Sequence, residues 1–416
     1  MQRVVLEEPY EFVPPIESDF WVWLVRTFRL KGYLKQHFAI DGYEIRGAEK
    51  LRASVDSELG VVLAPNHNRL SDPLVMGWIT KEVGVNLFAM ASWHLFKEGW
   101  YQRALIRRMG AFSVYREGND RQSVNTAIDI LVAGRRPLVI FPEGAVSRHQ
   151  DLMMDVMDGP AFIARQAAKR REKEGRPGVV IHPVAIRYAY HGDLEASIVP
   201  ELERFEHNFS WQPQSHLSIP DRIRRIAEAI LAVKEVEYLG ESRRGDPHER
   251  AERLIVEVLT GLETKWGTKG KEKGLVGRIK AIRSVILPDL IDGRVSPDER
   301  DARWRDLAAC YYLQQIAHYP PAYLNGEPDL PHATFPERIV ETVERLYEDF
   351  DDRIKYNGPM HCTMVIGDPI EVSTKRDRAA SAGGDPAMRE THRAIQAMLD
   401  GLIAERREEL VRLQPA

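Results

Sequence analysis

Between residues 61 and 190, short β-branched runs alternate with stretches of helical periodicity. The runs are VVLAP (61–65), VNLFAMA (85–91), AFSVY (111–115), PLVIF (137–141) and VVIHPVAIRY (179–188). Such alternation predicts βαβ units, and hence an α/β fold with a mixed, largely parallel sheet flanked by helices. Before the last run, AFIARQAAKRREKEG (161–175) loses its apolar positions into a basic tail closed by Gly175, the pattern of a helix exposed at its C-terminus.

Beyond residue 199 the chain turns to long charged segments with helical periodicity. Ser296-Pro297-Asp298-Glu299 reads as a capping box with proline at the first helical position, and Thr334 with Glu337 as a second. A strand pattern returns at HCTMVIGDPIEV (361–372), and residues 386–411 read as one more amphipathic helix. Residues 376–387, rich in glycine and small side chains, predict a loop. Four segments result: an N-terminal segment 1–60, a core 61–198, a helical insertion 199–358, and a return strand with a C-terminal helix, 359–416. Within the first, residues 20–38 place Trp21, Leu24, Val25 and Phe28 at i, i+3, i+4, i+7 among Arg26, Arg29, Lys31 and Lys35. That spacing suits either an interfacial helix or a helix packed on the core.

A chain of 416 residues is long enough for two lobes. A formal net charge of −4 carries no polyanion-binding signature, so nucleic acid is not an expected partner. Cys310 and Cys362 are far apart and lack metal-ligand spacing, which argues against a disulfide framework or a zinc site and fits a reducing, cytoplasmic setting. The acidic, proline-punctuated start lacks a signal-peptide core, and no run reaches the roughly 18 apolar residues of a membrane span. Any membrane contact is therefore expected to be peripheral, on the inner face. No Walker loop or dinucleotide fingerprint is present.

The chemistry-bearing residues cluster where strands give way to loops. His67 and Asp72, in NHNRLSD, offer an imidazole and a carboxylate that can hold it in one tautomer. A spacing of five is off-face on a regular helix, so the pair has to straddle a loop and a helix start; Asp72-Pro73 also reads as an ordinary N-cap and first-turn pair. Arg116 closes GAFSVYR; its planar donor fork suits a phosphate, and beside Glu117 it also suits a solvated ion pair. Phe141-Pro142-Glu143-Gly144 is a turn after a strand. His182, in IHPV (181–184), reads as a satisfied buried or rim histidine.

In this order the four blocks NHNRLSD, GAFSVYR, FPEG and IHPV resemble the glycerolipid acyltransferase family, over residues 60–190 and more loosely over 361–411. The resemblance implies transfer of a fatty acyl chain from acyl-CoA or acyl carrier protein to a glycerolipid hydroxyl, with lysophosphatidic acid as the leading acceptor. Glycerol 3-phosphate, another lysolipid, and a non-catalytic lipid-binding role on the same fold are the alternatives. It further implies His67 as general base, Asp72 as its orienting partner, Arg116 on the acceptor phosphate, Glu143 and Gly144 shaping the acceptor pocket, and Pro183 with Val184 lining the acyl site. No metal or cofactor is implied, the thioester being a co-substrate. The chain departs from the family after Gly144, where Ala145-Val146-Ser147-Arg148 replaces the usual Thr-Arg-Ser, and at Met157-Asp158-Gly159, where a lysine commonly precedes the glycine. Arg148, with Ser147 before it, is the residue placed to restore the missing cation.

Overall fold

The computed structural model describes residues 6–118, 120–270, 274–351, 354–375 and 384–413; residues 376–383 of the expected loop lie outside them. The chain divides into two compact units, one of residues 10–189 with 358–406, the other of 1–9, 190–357 and 407–416.

The first unit is built on a largely parallel sheet ordered β1-β7-β6-β2-β5-β3-β4, with β8 added antiparallel on β6. Its strands are β1 (Ile40–Arg46), β2 (Gly60–Pro65), β3 (Phe88–Ser92), β4 (Ala111–Val114), β5 (Leu138–Val139), β6 (Val179–Tyr190), β7 (Met360–Ile366) and β8 (Ile370–Glu371). Every residue of β2 is buried, and it runs parallel to both β5 and β6. A continuous β-branched run is what a strand covered on both faces requires. Its helices are α1 (Asp19–Phe28), α2 (Leu30–Phe38), α3 (Ala48–Asp56), α4 (Asp72–Val83), α5 (Trp100–Arg108), α6 (Arg121–Ala133) and α7 (Gly159–Lys173). Val62, Ile181, Leu131, Ala164 and Ala167 belong to one buried cluster that ties α6 and α7 to the sheet.

Two expectations are revised here. Residues 20–38 form two helices broken at Arg29, and the buried residues are Val22, Leu30 and Leu34, while Trp21 and Phe28 stay exposed. The strand β1 has no counterpart among the runs identified above, because IDGYEIR carries charges and is only half buried.

The second unit is helical: α8 (Leu194–Asn208), α9 (Ile219–Leu239), α10 (Pro247–Trp266), α11 (Gly274–Ile291), α12 (Pro297–Ile316) and α13 (Pro336–Asp351), with α14 (Pro386–Arg412) running from one unit into the other. Ser296 caps α12, its hydroxyl accepting the Glu299 amide. The second expected box does not form as such: α13 starts at Pro336, Thr334 gives its hydroxyl to the Tyr323 carbonyl, and Glu337 accepts the Tyr190 amide. Successive helices are stapled by two-point carboxylate–guanidinium pairs, Glu206–Arg222, Glu235–Arg250 and Glu263–Arg278. Each pair fixes the angle of a helix hairpin more firmly than a single-point contact would.

Candidate active site

Asp72 is the first residue of α4, and the cap position before it belongs to Ser71, which makes no side-chain cap bond. The Asp72 carboxylate instead turns back over its own loop. Its Oδ2 accepts from His67 Nδ1 at 2.9 Å and from the Arg69 amide at 2.8 Å, while Oδ1 accepts the Tyr188 hydroxyl at 2.7 Å. The carboxylate is wholly buried, yet both oxygens are engaged and the charge sits at a helix N-terminus, where it is favoured.

His67 lies just past the end of β2, buried, with its ring 4.1 Å from that of Phe141. The preceding Asn66 continues the strand pairing through its side chain, giving Nδ2–H to the Ile186 carbonyl and taking the Ile186 amide. Burial holds the imidazole below its usual range; the Asp72 bond opposes this, and the charges of Arg116 and Arg148 lower it further. With Nδ1–H given to Asp72, Nε2 is left with the lone pair, so at neutral pH the ring is a neutral base. Arg116 and Arg148 both act on His67, and Arg116 also acts on His94. His94, bonded to the Ser92 hydroxyl, is pushed down to about 4 by burial and then by Arg116. The structure therefore gathers His67, Asp72, Arg116 and Arg148 at one sheet edge.

Glu143 braces the loops around His67. Its two oxygens accept the His67 amide at 2.6 Å and the Met154 amide at 3.1 Å, bracing the histidine loop against the loop after β5. Burial pushes its carboxyl up to about 8, against the pull of the two amides. Alanine would leave both amides without an acceptor. Glu143→Ala is accordingly expected to cost about 1–3 kcal/mol per unpaired amide in denaturant unfolding. The wild-type carboxyl, its folded pKa raised, should lose stability as pH rises from its unfolded value toward about 8. A Glu143→Ala variant with unchanged stability and turnover would show that the brace is dispensable.

The segment after Gly144 is clamped at several points. Gly144 takes a left-handed backbone (φ +70°), and a Cβ there would run into Met157. The Ser147 amide donates to the His67 carbonyl and its hydroxyl to the His149 carbonyl. Gln150 exchanges two bonds with the Tyr188 backbone, and Asp151 pairs with Arg187 at 3.0 Å. Between these clamps Arg148 is held at φ +63°, a conformation costing a non-glycine residue roughly 1–2 kcal/mol. Ser147 is thus a buttress for the loop that presents Arg148.

Pro183 lies within β6, in register with Ala64 and against Gly367, which donates its amide to the Pro183 carbonyl. It is buried in the sheet. His182 uses both ring nitrogens, on Ser54 Oγ and the Gly367 carbonyl.

Tyr188 is the residue the motifs do not single out. Besides Asp72 it meets the Ser71 hydroxyl at 3.2 Å, the Cys362 thiol and the Arg69 guanidinium over its ring face. The available signal was a tyrosine in a buried strand, whose hydroxyl demands a partner.

A family model described as Acyltransferase matches residues 42–187, a span that carries His67, Asp72, Arg116, Glu143 and Arg148 and stops one residue short of Tyr188. Over that span the chain is similar to the acyltransferase family. Within it the chain is similar to a 1-acyl-sn-glycerol-3-phosphate acyltransferase of Streptococcus pneumoniae (strain ATCC BAA-255 / R6), 34% identical over 152 residues, which is 36% of this chain and 48% of that protein. The chain thus spans about half the length of the curated relative it matches. The matched span holds His67, Asp72, Arg116, Glu143 and Arg148, and the helices α8–α13 lie outside it.

Proposed function

We propose that the protein transfers a fatty acyl chain from a thioester to a hydroxyl of a glycerolipid acceptor, with lysophosphatidic acid as the preferred acceptor. The observation that carries this is the buried, neutral His67, oriented by Asp72 and facing two arginine charges. Nε2 takes the proton of the acceptor hydroxyl as its oxygen attacks the thioester carbonyl. The carbon–sulfur bond breaks, the proton passes from His67 to the departing thiolate, and an ester and a free thiol result. Asp72 stabilises the transient imidazolium and needs no proton itself. The acceptor's phosphate sits between Arg116 and Arg148, since a dianion held by one guanidinium alone would keep part of its charge unpaired. The test is thioester consumption by the purified chain, with palmitoyl-CoA and a panel of lysophosphatidic acid, glycerol 3-phosphate and lysophosphatidylcholine. Turnover with none of them overturns the proposal, and preference for the neutral-headed acceptor overturns the phosphate assignment.

Because Arg148 sits in a left-handed backbone, glycine isolates its side chain from its strain. Arg148→Gly is expected to leave Tm unchanged or raised while increasing KM for lysophosphatidic acid on the order of tenfold or more, as loss of a charged hydrogen bond implies. Removing either arginine's charge should also move the acid limb of kcat/KM toward higher pH, because both hold the His67 pKa down. An unmoved limb would place both arginines outside the site.

The proposal includes a peripheral membrane contact through residues 20–38. Phe20, Trp23 and Phe28 are 60%, 47% and 65% exposed and touch one another in series, and Arg108 lies over Trp21. Exposed aromatics beside arginines suit a lipid interface. The protein is expected to co-sediment with anionic liposomes, to release as salt shortens screening below about 10 Å, and to bind more weakly as Trp21→Ala/Trp23→Ala. Equal partition with and without liposomes would refute the contact.

A further inference from the structure

Away from His67, the outer faces of α6 and α7 enclose an open groove of about 660 Å³. Its floor is apolar, made by Val124, Ile128 and Phe162, the last 49% exposed. Its rim is cationic, with Arg121 on α6 and Lys169 and Lys173 on α7. Among the described residues none of these three has a carboxylate partner, whereas the neighbouring Arg170 is paired with Asp129 at 2.6 Å. Lys169 and Lys173 are one turn apart on one helix face, a like-charge pair that weakens an isolated helix. From Phe162 to Lys173 the helix rises roughly 16 Å. A long, open, cation-rimmed groove with an exposed phenylalanine is complementary to an acidic amphipathic helix, whose apolar stripe covers the floor while its carboxylates meet the rim.

The groove starts where the segments that carry the site residues end. The α6 N-terminus follows the loop carrying Arg116, and Asp120, which caps α6 and lines the groove, accepts the Tyr115 amide. The α7 N-terminus follows the segment carrying Glu143 and Arg148. In a parallel α/β sheet, helix N-termini lie at the edge where ligands bind. A partner seated in the groove therefore has one end at the catalytic loops.

We propose that the α6/α7 groove docks an acidic helix of a protein that carries the acyl thioester. The proposal rests on the acyltransferase reading above and specifies its donor. The experiment compares palmitoyl-CoA with palmitoyl-loaded acyl carrier protein as donors for the full chain and for Lys169→Glu/Lys173→Glu, and measures binding of the loaded carrier by fluorescence anisotropy at low and high salt. The double variant should raise KM for the carrier-borne donor on the order of tenfold or more, with kcat retained and the palmitoyl-CoA kinetics unchanged, and should lose the salt-sensitive binding. Equal loss with both donors, selective loss with palmitoyl-CoA, no change, or absence of carrier binding to the wild type each overturns the docking proposal. Carrier binding that depends on Lys169 and Lys173, without turnover of either donor by the wild type, would instead uphold the docking surface and overturn the acyltransferase reading.

Discussion

Replacing His67 by alanine is expected to lower the rate of acyl transfer on the order of 10² to 10⁴, the usual worth of a positioned general base. The loss should fall on kcat, because the ring touches the reacting hydroxyl and not the phosphate. The fold should persist: His67 holds its neighbours through its backbone, with its amide on Glu143 and its carbonyl taking the Ser147 amide, and alanine keeps both. Turnover against pH sharpens the test. In the wild type the acid limb should lie below the ordinary histidine range, since burial depresses the imidazole. The same shift gives a stability term present above the unfolded histidine pKa and lost as pH falls through the folded one. A folded His67→Ala protein with near-normal kcat would remove the residue from the mechanism.

Asp72→Asn should be almost as severe in kcat, on the order of 10² to 10⁴, because it removes the charge that stabilises the imidazolium and leaves one acceptor oxygen, beside an NH2 donor, where two oxygens fixed the tautomer. Its signature differs. Asp72 raises the His67 pKa, so its neutralisation should move the residual acid limb to lower pH, opposite in sign to Arg116→Ala. Asp72→Ala should add a stability loss of about 1–3 kcal/mol for the Arg69 amide left unpaired. Denaturant unfolding and a pH–rate profile on the same samples would separate the two effects. An Asp72→Asn enzyme with wild-type kcat and an unmoved limb would reduce the carboxylate to a loop brace.

The sheet was legible because its strands are short β-branched runs with no competing period, and the His67–Asp72 pair because a fixed order of blocks surrounds it. What escaped did so for physical reasons. In β1, IDGYEIR, charged residues sit at half-exposed positions, so the alternation that marks a strand is blurred. The break of residues 20–38 into two helices was not legible, and the residue turned inward in the first is Val22, while the aromatics that shape the pattern are exposed. The bracing role of Glu143 was hidden because a turn motif says nothing about which backbone amides its side chain will meet. Tyr188 and Cys362 reach Asp72 only through tertiary pairing of strands that are remote in sequence.

That remoteness has a bearing on how the chain is made. The neighbours β6 and β7 are separated by six helices, α8–α13, and β1 finds its sheet partner only in β7. On the ribosome, β1, β2 and β6 emerge early and wait, with the β6 edge uncovered, while the intervening helices are synthesised. Those helices make largely local contacts of the kind that form fast, whereas an unpaired strand edge invites pairing with other chains. Speed of helix assembly is thus a safeguard for a sheet it does not belong to. A lesion that slows α8–α13 would reveal itself as insoluble nascent protein before any change in the finished enzyme.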